Sequence, residues 1–309
     1  MSTRILTAIV TLPLLFLLVL GGTRYAADSL AQSLAPPLPP PEGGERGIPI
    51  LMYHKVNPDP RTGGLGLRVP PQKFARQMEY LAGHGFHTVS LTDVVDHFQK
   101  GKPLPPRPVV ITFDDGYLDN YTYAFPILKK YGFTATIFVV ANTVGKTNVF
   151  DAKIQPVNKM AGWRELKEMA DYGITIGAHT LDHPCLTQIP LEEARHQIKE
   201  SKALLEAHLG RPVEVFCYPY GKYNHELARV VRESGYRAAV TTGQGLAGPG
   251  DDPFTLKRVR VKGSYDLQKF ITELVKHYYS SRAHTNGRQV LFSGQTGKTP
   301  PRCGIISSR

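Results

Sequence analysis

Cysteine is scarce in this chain, with three residues in 309. Cys185, Cys217 and Cys303 allow at most one internal disulfide and leave one thiol over, so a fold held by a disulfide framework is excluded. The sequence alone assigns no pairing among them. With 41% hydrophobic residues, the chain can bury one substantial core, and nothing in it indicates a second domain.

The apolar run near the N-terminus is short for a spanning helix. Residues 5–20 carry no charge and follow Arg4, whereas a transmembrane helix needs about 20 apolar residues. This pattern is typical of a signal-peptide core, with Ser29-Leu30-Ala31 as a cleavage site. An uncleaved membrane anchor is the alternative. In either case we expect export, to the periplasm, the medium or the outer face of the inner membrane, with residues 1–31 outside the folded domain.

Acidic residues are absent from residues 280–309, which contain five basic ones. This segment is predicted to be a disordered basic tail, and the Pro/Gly-rich residues 32–47 are predicted to be an extended linker. The net charge of +11 does not indicate a nucleic-acid partner, because no basic stripe with interleaved aromatic residues is present in the folded region. Anionic surroundings, such as a membrane surface or a cell-wall polymer, explain the charge more simply.

Residues 48–279 alternate between short apolar runs and segments of helical period. Strands that alternate with helices pair in parallel through right-handed crossovers, so an α/β domain is predicted. Polar candidate ligands follow several different strands, which favours a closed (β/α) barrel over an open sheet. Among the details, we predict a helix over 91–98 capped by Thr92, one α-helix over 121–131, and a long loop over 141–161 that borders the cleft.

Two adjacent carboxylates stand at the end of a buried strand, in the motif Thr112-Phe113-Asp114-Asp115-Gly116. About sixty residues later, His179 and His183 follow another apolar run. One carboxylate and two imidazoles form a site that leaves coordination positions open for water and substrate. We predict Asp115, His179 and His183 as ligands of one divalent metal ion, and Asp114 as the general base.

Three motifs in this order, TFDDG at 112–116, HTLDH at 179–183 and YPYG at 218–221, resemble those of the polysaccharide deacetylase family (carbohydrate esterase family 4, the NodB-homology domain). The resemblance covers residues 48–261. It implies a distorted (β/α) barrel and a metal-dependent hydrolase that removes acetyl groups from glycans. Zinc is the expected metal, with cobalt, nickel and iron as alternatives.

The resemblance also implies roles for residues outside the metal site. The backbone amide of Tyr220 is expected to stabilise the oxyanion. The family's Leu-x-His acid is missing from residues 256–261, and the exopolysaccharide subgroup carries this acid on its first strand, where His54 stands here. The family often has an arginine that holds the base at the position of Cys217, so the residue that orients Asp114 is not identified. Trp163 is a candidate for stacking on a sugar, although helix packing is its default role.

These observations predict an exported, metal-dependent hydrolase that removes N-acetyl groups from a polysaccharide, in type closest to the deacetylases of poly-β-1,6-N-acetylglucosamine. Its expected partner is the acetylated polysaccharide, with a membrane tether through the N-terminal segment as an option. Two alternatives stay open: a glycan-binding protein of the same fold that has lost turnover, and a deacetylase of peptidoglycan or xylan. The sequence does not give the glycosidic linkage, the metal or the oligomeric state.

Overall fold

The structure, a computed structural model, describes residues 47–280. The predicted leader or anchor, the linker up to residue 46 and the basic tail from residue 281 lie outside the described residues. The strands are β1 (Ile50–Tyr53), β2 (Lys55–Val56), β3 (Arg68–Val69), β4 (His87–Thr88), β5 (Pro108–Phe113), β6 (Thr136–Val139), β7 (Thr175–Ala178), β8 (Val215–Cys217), β9 (Ala238–Gln244) and β10 (Leu256–Arg260). The α-helices are α1 (Pro71–Gly83), α2 (Leu91–Lys100), α3 (Phe125–Lys130), α4 (Trp163–Tyr172), α5 (Leu191–Leu209), α6 (His225–Glu233) and α7 (Leu267–Ser280).

Seven parallel strands close into a barrel in the order β1, β10, β9, β8, β7, β6, β5. The barrel closes where β1 pairs with β5, in a register that runs from Ile50 opposite Val110 to Tyr53 opposite Phe113. Strand β4 pairs with the first two residues of β5, and β2 pairs with β3. The predicted (β/α) barrel is therefore confirmed.

The strands are apolar on both faces because each lies between the barrel interior and the surrounding helices. All six residues of β5 are buried. Val109 and Ile111 belong to the cluster that packs under the helices, whereas Val110 belongs to a second cluster with Phe138 and Val215. Burying each such side chain stabilises the fold by about 1.5–3 kcal/mol.

Two helix predictions need correction. Helix α2 is capped by Ser90 rather than Thr92, because the Ser90 hydroxyl accepts the backbone N–H of Asp93 at 3.0 Å in a capping box. The predicted helix over 121–131 is divided into a π-helical turn, Asn120–Ala124, and α3. Pro126 accounts for the change of register, since it has no N–H to donate to the carbonyl four residues earlier. Within residues 47–280, no helix has the length and apolar character needed to cross a bilayer.

Because the seven barrel strands run in one direction, their carboxyl ends form a single rim. His54 follows β1, Asp114 and Asp115 follow β5, and His179 follows β7. The fold therefore gathers side chains that are far apart in the sequence.

Candidate metal centre and active site

Asp115, His179 and His183 meet at the barrel rim. Their ligand atoms lie within 4.8 Å of one another, and all three residues are buried. Asp115 Oδ1 is 3.5 Å from His179 Nε2 and 3.6 Å from His183 Nε2. Burial by itself would raise the pKa of Asp115, but the hydrogen bond with His179 and the nearby histidines lower it below the usual range. The charged carboxylate and two imidazoles suit a divalent transition-metal ion.

A backbone carbonyl orients His179. Its Nδ1 lies 2.7 Å from the carbonyl oxygen of Cys217, at the end of β8. In this contact Nδ1–H donates to the carbonyl, so Nε2 is the ring nitrogen that faces Asp115 and that, once it has lost its proton, can bind a metal ion. The neighbouring strand thus fixes the tautomer that a metal ligand requires.

A tight turn brings His183 back to the same point. Thr180 has φ +68° and His183 has φ +63°, and the Thr180 hydroxyl accepts the backbone N–H of His183 at 2.9 Å. Asp115 also lies in the left-handed region, with φ +77°. Each such non-glycine residue costs of order 1–3 kcal/mol. Their concentration around one cluster is typical of a functional site.

Arg258 holds the candidate base, a contact that the sequence interpretation missed. Its two terminal nitrogens donate to the two oxygens of Asp114, each at 2.7 Å. The remaining guanidinium bonds go to the carbonyl of Thr241 (2.8 Å), the hydroxyl of Thr112 (3.0 Å) and the Sγ of Cys217 (3.5 Å), and Arg258 is fully buried. The sequence did contain a signal for this contact. Arg258 stands at an inward position of strand β10, and a buried arginine requires an acidic partner.

The charges around Asp114 set its protonation. Burial alone would raise the pKa of this carboxyl, but the charge and hydrogen bonds of Arg258 outweigh burial and lower it. His54 lies close by, with Nε2 at 3.8 Å from Asp114 Oδ2. Burial lowers the pKa of His54, while Asp114 and Asp115 oppose that shift. A carboxylate base and a histidine therefore stand side by side above the barrel.

Removing Arg258 is expected to destabilise the metal-free protein by about 3–5 kcal/mol at pH 8, because Arg258→Met leaves the Asp114 charge buried without a partner. The pKa of Asp114 is lowered in the wild type, so its contribution to stability is present at neutral pH and lost in acid. In the variant, burial raises the pKa of Asp114 against only the smaller attraction of His54 and His179, so this carboxylate takes up a proton at a higher pH than in the wild type. The deficit in unfolding free energy from urea titrations should therefore be smaller at pH 5 than at pH 8.

Arg195→Met serves as the control, since Arg195 is only half-buried and pairs with Glu233 at 3.2 Å. This substitution should lower the unfolding free energy by less than about 1 kcal/mol at either pH. A loss of the same small size for Arg258→Met would contradict the assigned ion pair.

The YPYG motif packs directly on His183, one of the three candidate metal ligands. Tyr220 has φ +58°, and its ring lies 4.8 Å from the ring of His183, centroid to centroid. Gly221 has φ +66°, and a Cβ there would stand 2.1 Å from the Thr242 hydroxyl. Only glycine allows the backbone to come this close to Thr242. The resulting turn holds the ring of Tyr220 over His183.

The structure places Trp163 at the start of α4, where its ring stacks on His208 at 4.0 Å between centroids. His208 belongs to the last turn of α5, so this contact corresponds to the default packing role. Stacking of Trp163 on a sugar stays a prediction. Phe150, which the sequence did not single out, lies in the loop 141–161, and its ring is 4.6 Å from that of His183.

Comparisons with known proteins agree with this geometry. The profile of the family described as "Polysaccharide deacetylase" matches residues 101–239. YxkH of Bacillus subtilis, named as a polysaccharide deacetylase, is 34% identical over 214 residues, which cover 69% of this chain and 71% of that protein. The poly-β-1,6-N-acetyl-D-glucosamine N-deacetylase of Staphylococcus epidermidis is 28% identical, over 68% of this chain and 78% of that protein.

Solved structures are similar as well. The deacetylase PplD of Streptococcus pyogenes, in complex with acetate, superposes with a TM-score of 0.64 at 27% identity, over 74% of this chain and 98% of that one. IcaB from Ammonifex degensii superposes with a TM-score of 0.63 at 28% identity, over 75% of this chain and 98% of that one.

Proposed function

Because the chain belongs to the polysaccharide deacetylase family, we propose that it is a metal-dependent hydrolase that removes N-acetyl groups from a polysaccharide containing N-acetylglucosamine. The observation that carries this proposal is the pairing of an Asp115, His179 and His183 cluster with a separate carboxylate, Asp114, that a buried arginine holds in place. A protein that only binds glycans needs no such second carboxylate.

The three residues fit a divalent ion because their ligand atoms converge, the His179 tautomer is fixed, and the Asp115 carboxylate is charged. Such an ion, zinc by preference, would polarise the acetyl carbonyl and acidify the attacking water. The other steps fall to the protein itself.

Asp114 is the base in this proposal. It takes a proton from the water that attacks the amide carbon, and Arg258 keeps both carboxylate oxygens fixed while it does so. The arginine that the family often has at the position of Cys217 is thus replaced in function by Arg258 from β10. This replacement weakens the alternative of an inactive glycan-binding protein, which relied in part on the missing arginine.

His54 is the acid. The amide nitrogen must be protonated before it leaves, and His54 Nε2 lies 3.8 Å from Asp114 Oδ2. The proton removed from water therefore has a short path through Asp114 and His54 to the leaving amine. The backbone N–H of Tyr220 is assigned to the tetrahedral oxygen, since this residue lies against the metal cluster.

Location and substrate are parts of the same proposal. The uncharged run at 5–20 supports export, and relatives named as poly-β-1,6-N-acetyl-D-glucosamine deacetylases support N-acetylglucosamine as the sugar that is deacetylated. The proposal is tested by measuring acetate release from N-acetylglucosamine oligomers by the purified protein, after chelation and after addition of zinc, cobalt or nickel. Absence of release with every metal would overturn it.

His54→Ala is expected to lose turnover on amide substrates while keeping fold and metal, because the leaving amine then has no proton donor. Activated aryl acetates should suffer much less, since their leaving group needs little protonation. Acetate release from an N-acetylglucosamine oligomer and from an aryl acetate gives the two losses. His87→Ala, at an exposed histidine outside the site, is the control. Equal losses on both substrates would remove His54 from the mechanism.

A further inference from the structure

A cavity opens beside the cluster of Asp115, His179 and His183. It has a volume of about 450 Å³ and is lined by Tyr220, Thr242, Gln244, Arg260, Lys262, Tyr265, Glu273 and Lys276. Tyr220 belongs to both places, because its ring also contacts His183. A polymer that presents an acetamido group to the metal cluster would place a neighbouring sugar in this cavity.

Two cations that line the cavity form no direct ion pair, although the Asp114 carboxylate attracts the Arg260 guanidinium from a greater distance. Glu273 is already paired with Lys269 and Lys276. Within residues 47–276, the side chains of Arg260 and Lys262 have no ion pair and no hydrogen bond to another side chain. Both are half-buried. Most half-buried cations form a direct ion pair, so two that line one cavity without such a pair indicate a site for an anionic group.

The strand places Arg260 where a substrate would meet it. Arg258 and Arg260 are two residues apart on β10, so they lie on the same face, and Arg260 is nearer the carboxyl end of the strand. Arg258 is buried and engaged by Asp114, whereas Arg260 remains open to the cavity. A guanidinium binds a planar carboxylate through two parallel hydrogen bonds.

We propose that this cavity binds a sugar carboxylate next to the acetamido sugar, so that the natural substrate is an acidic glycan rather than a neutral homopolymer. This rests on the proposed function and refines its substrate. The same cations would repel the free amine of a glucosamine already deacetylated, which disfavours a polymer that becomes polycationic as the reaction proceeds.

The test compares matched ligands in binding. A hyaluronan tetrasaccharide alternates N-acetylglucosamine with glucuronate, and its methyl ester removes the charge without changing the chain. A disaccharide of N-acetylglucosamine and N-acetylmuramic acid, with its own methyl ester, places the carboxylate on a lactyl ether instead. Calorimetry on the metal-loaded protein should show that at least one free acid binds about tenfold or more tightly than its ester, as expected for one charged hydrogen-bonded contact. The acid that is preferred identifies the position of the carboxylate.

Variants assign the preference to the cavity. Arg260→Gln and Lys262→Gln should each reduce the ratio of acid to ester affinity, and together should bring it close to one. Arg260→Lys should retain part of it. Lys257→Gln is the matched control, because Lys257 is an exposed residue of the same strand that pairs with Asp251 at 3.7 Å; the ratio should not change.

The outcomes separate this inference from the proposed function. Equal binding of acid and ester in the wild type, or a preference that survives the Arg260 and Lys262 changes, overturns the acidic-substrate inference even if neutral N-acetylglucosamine oligomers release acetate. If no oligomer, neutral or acidic, releases acetate, the deacetylase function itself fails, whatever the binding ratio.

Discussion

Alanine at His179 or His183 is expected to abolish metal binding. Either change leaves two protein ligands, and a two-ligand site is weak. In the His179 variant the lost ligand is one that the carbonyl of Cys217 holds in place in advance. Elemental analysis of the purified variants measures the metal content directly, and acetate release should fall with it.

His196→Ala is the control for these variants, since His196 is exposed on α5 and lies outside the cluster. It should retain the metal of the wild type. Full metal occupancy in both the His179 and His183 variants would show that the ion is bound elsewhere.

Asp114→Asn is expected to reduce turnover by about a hundred- to ten-thousandfold while the metal remains bound. The amide keeps the shape of the side chain but cannot accept a proton. It also directs an NH₂ group at the guanidinium of Arg258, so one of the two 2.7 Å hydrogen bonds is lost. Metal content and acetate release, measured on the same preparation, separate this effect from loss of the ion.

Asp182→Asn provides the comparison, because Asp182 is an exposed carboxylate in the turn between His179 and His183. It bonds to Asn142 and Gln197 rather than to the cluster. Turnover close to that of the wild type in Asp114→Asn would place the base at another residue.

The sequence was most informative where a function depends on a short segment. Asp114 with Asp115, and His179 with His183, each lie within five residues at the end of an apolar strand, so periodicity and residue type together indicate a site. The α/β class followed from the regular alternation of strands and helices, and the barrel followed from candidate ligands at the ends of several strands.

Contacts between distant segments could not be read in this way. Arg258 and Asp114 are 144 residues apart, and their meeting depends on the order in which strands close the barrel. Phe150 meets His183 only because an irregular loop folds over the rim, and no periodicity describes such a loop. The left-handed conformation of Tyr220 is a similar case, since it occurs beside the close approach of Gly221 to Thr242, 21 residues further along the chain.

Closure of the barrel by β1 has a consequence for the order in which the site assembles. The three candidate metal ligands come from the ends of β5 and β7, which are joined through β6 without β1. His54, the proposed proton donor, follows β1, and β1 has both β10 and β5 as neighbours. Arg258 lies on β10, which also pairs with β9. A chain in which β1 is not yet in place would therefore already present the candidate metal ligands but would lack His54. Metal uptake and turnover thus report on different stages of folding. A change that disrupts the pairing of β1 with β5 and β10 should leave a protein that binds its ion but releases no acetate.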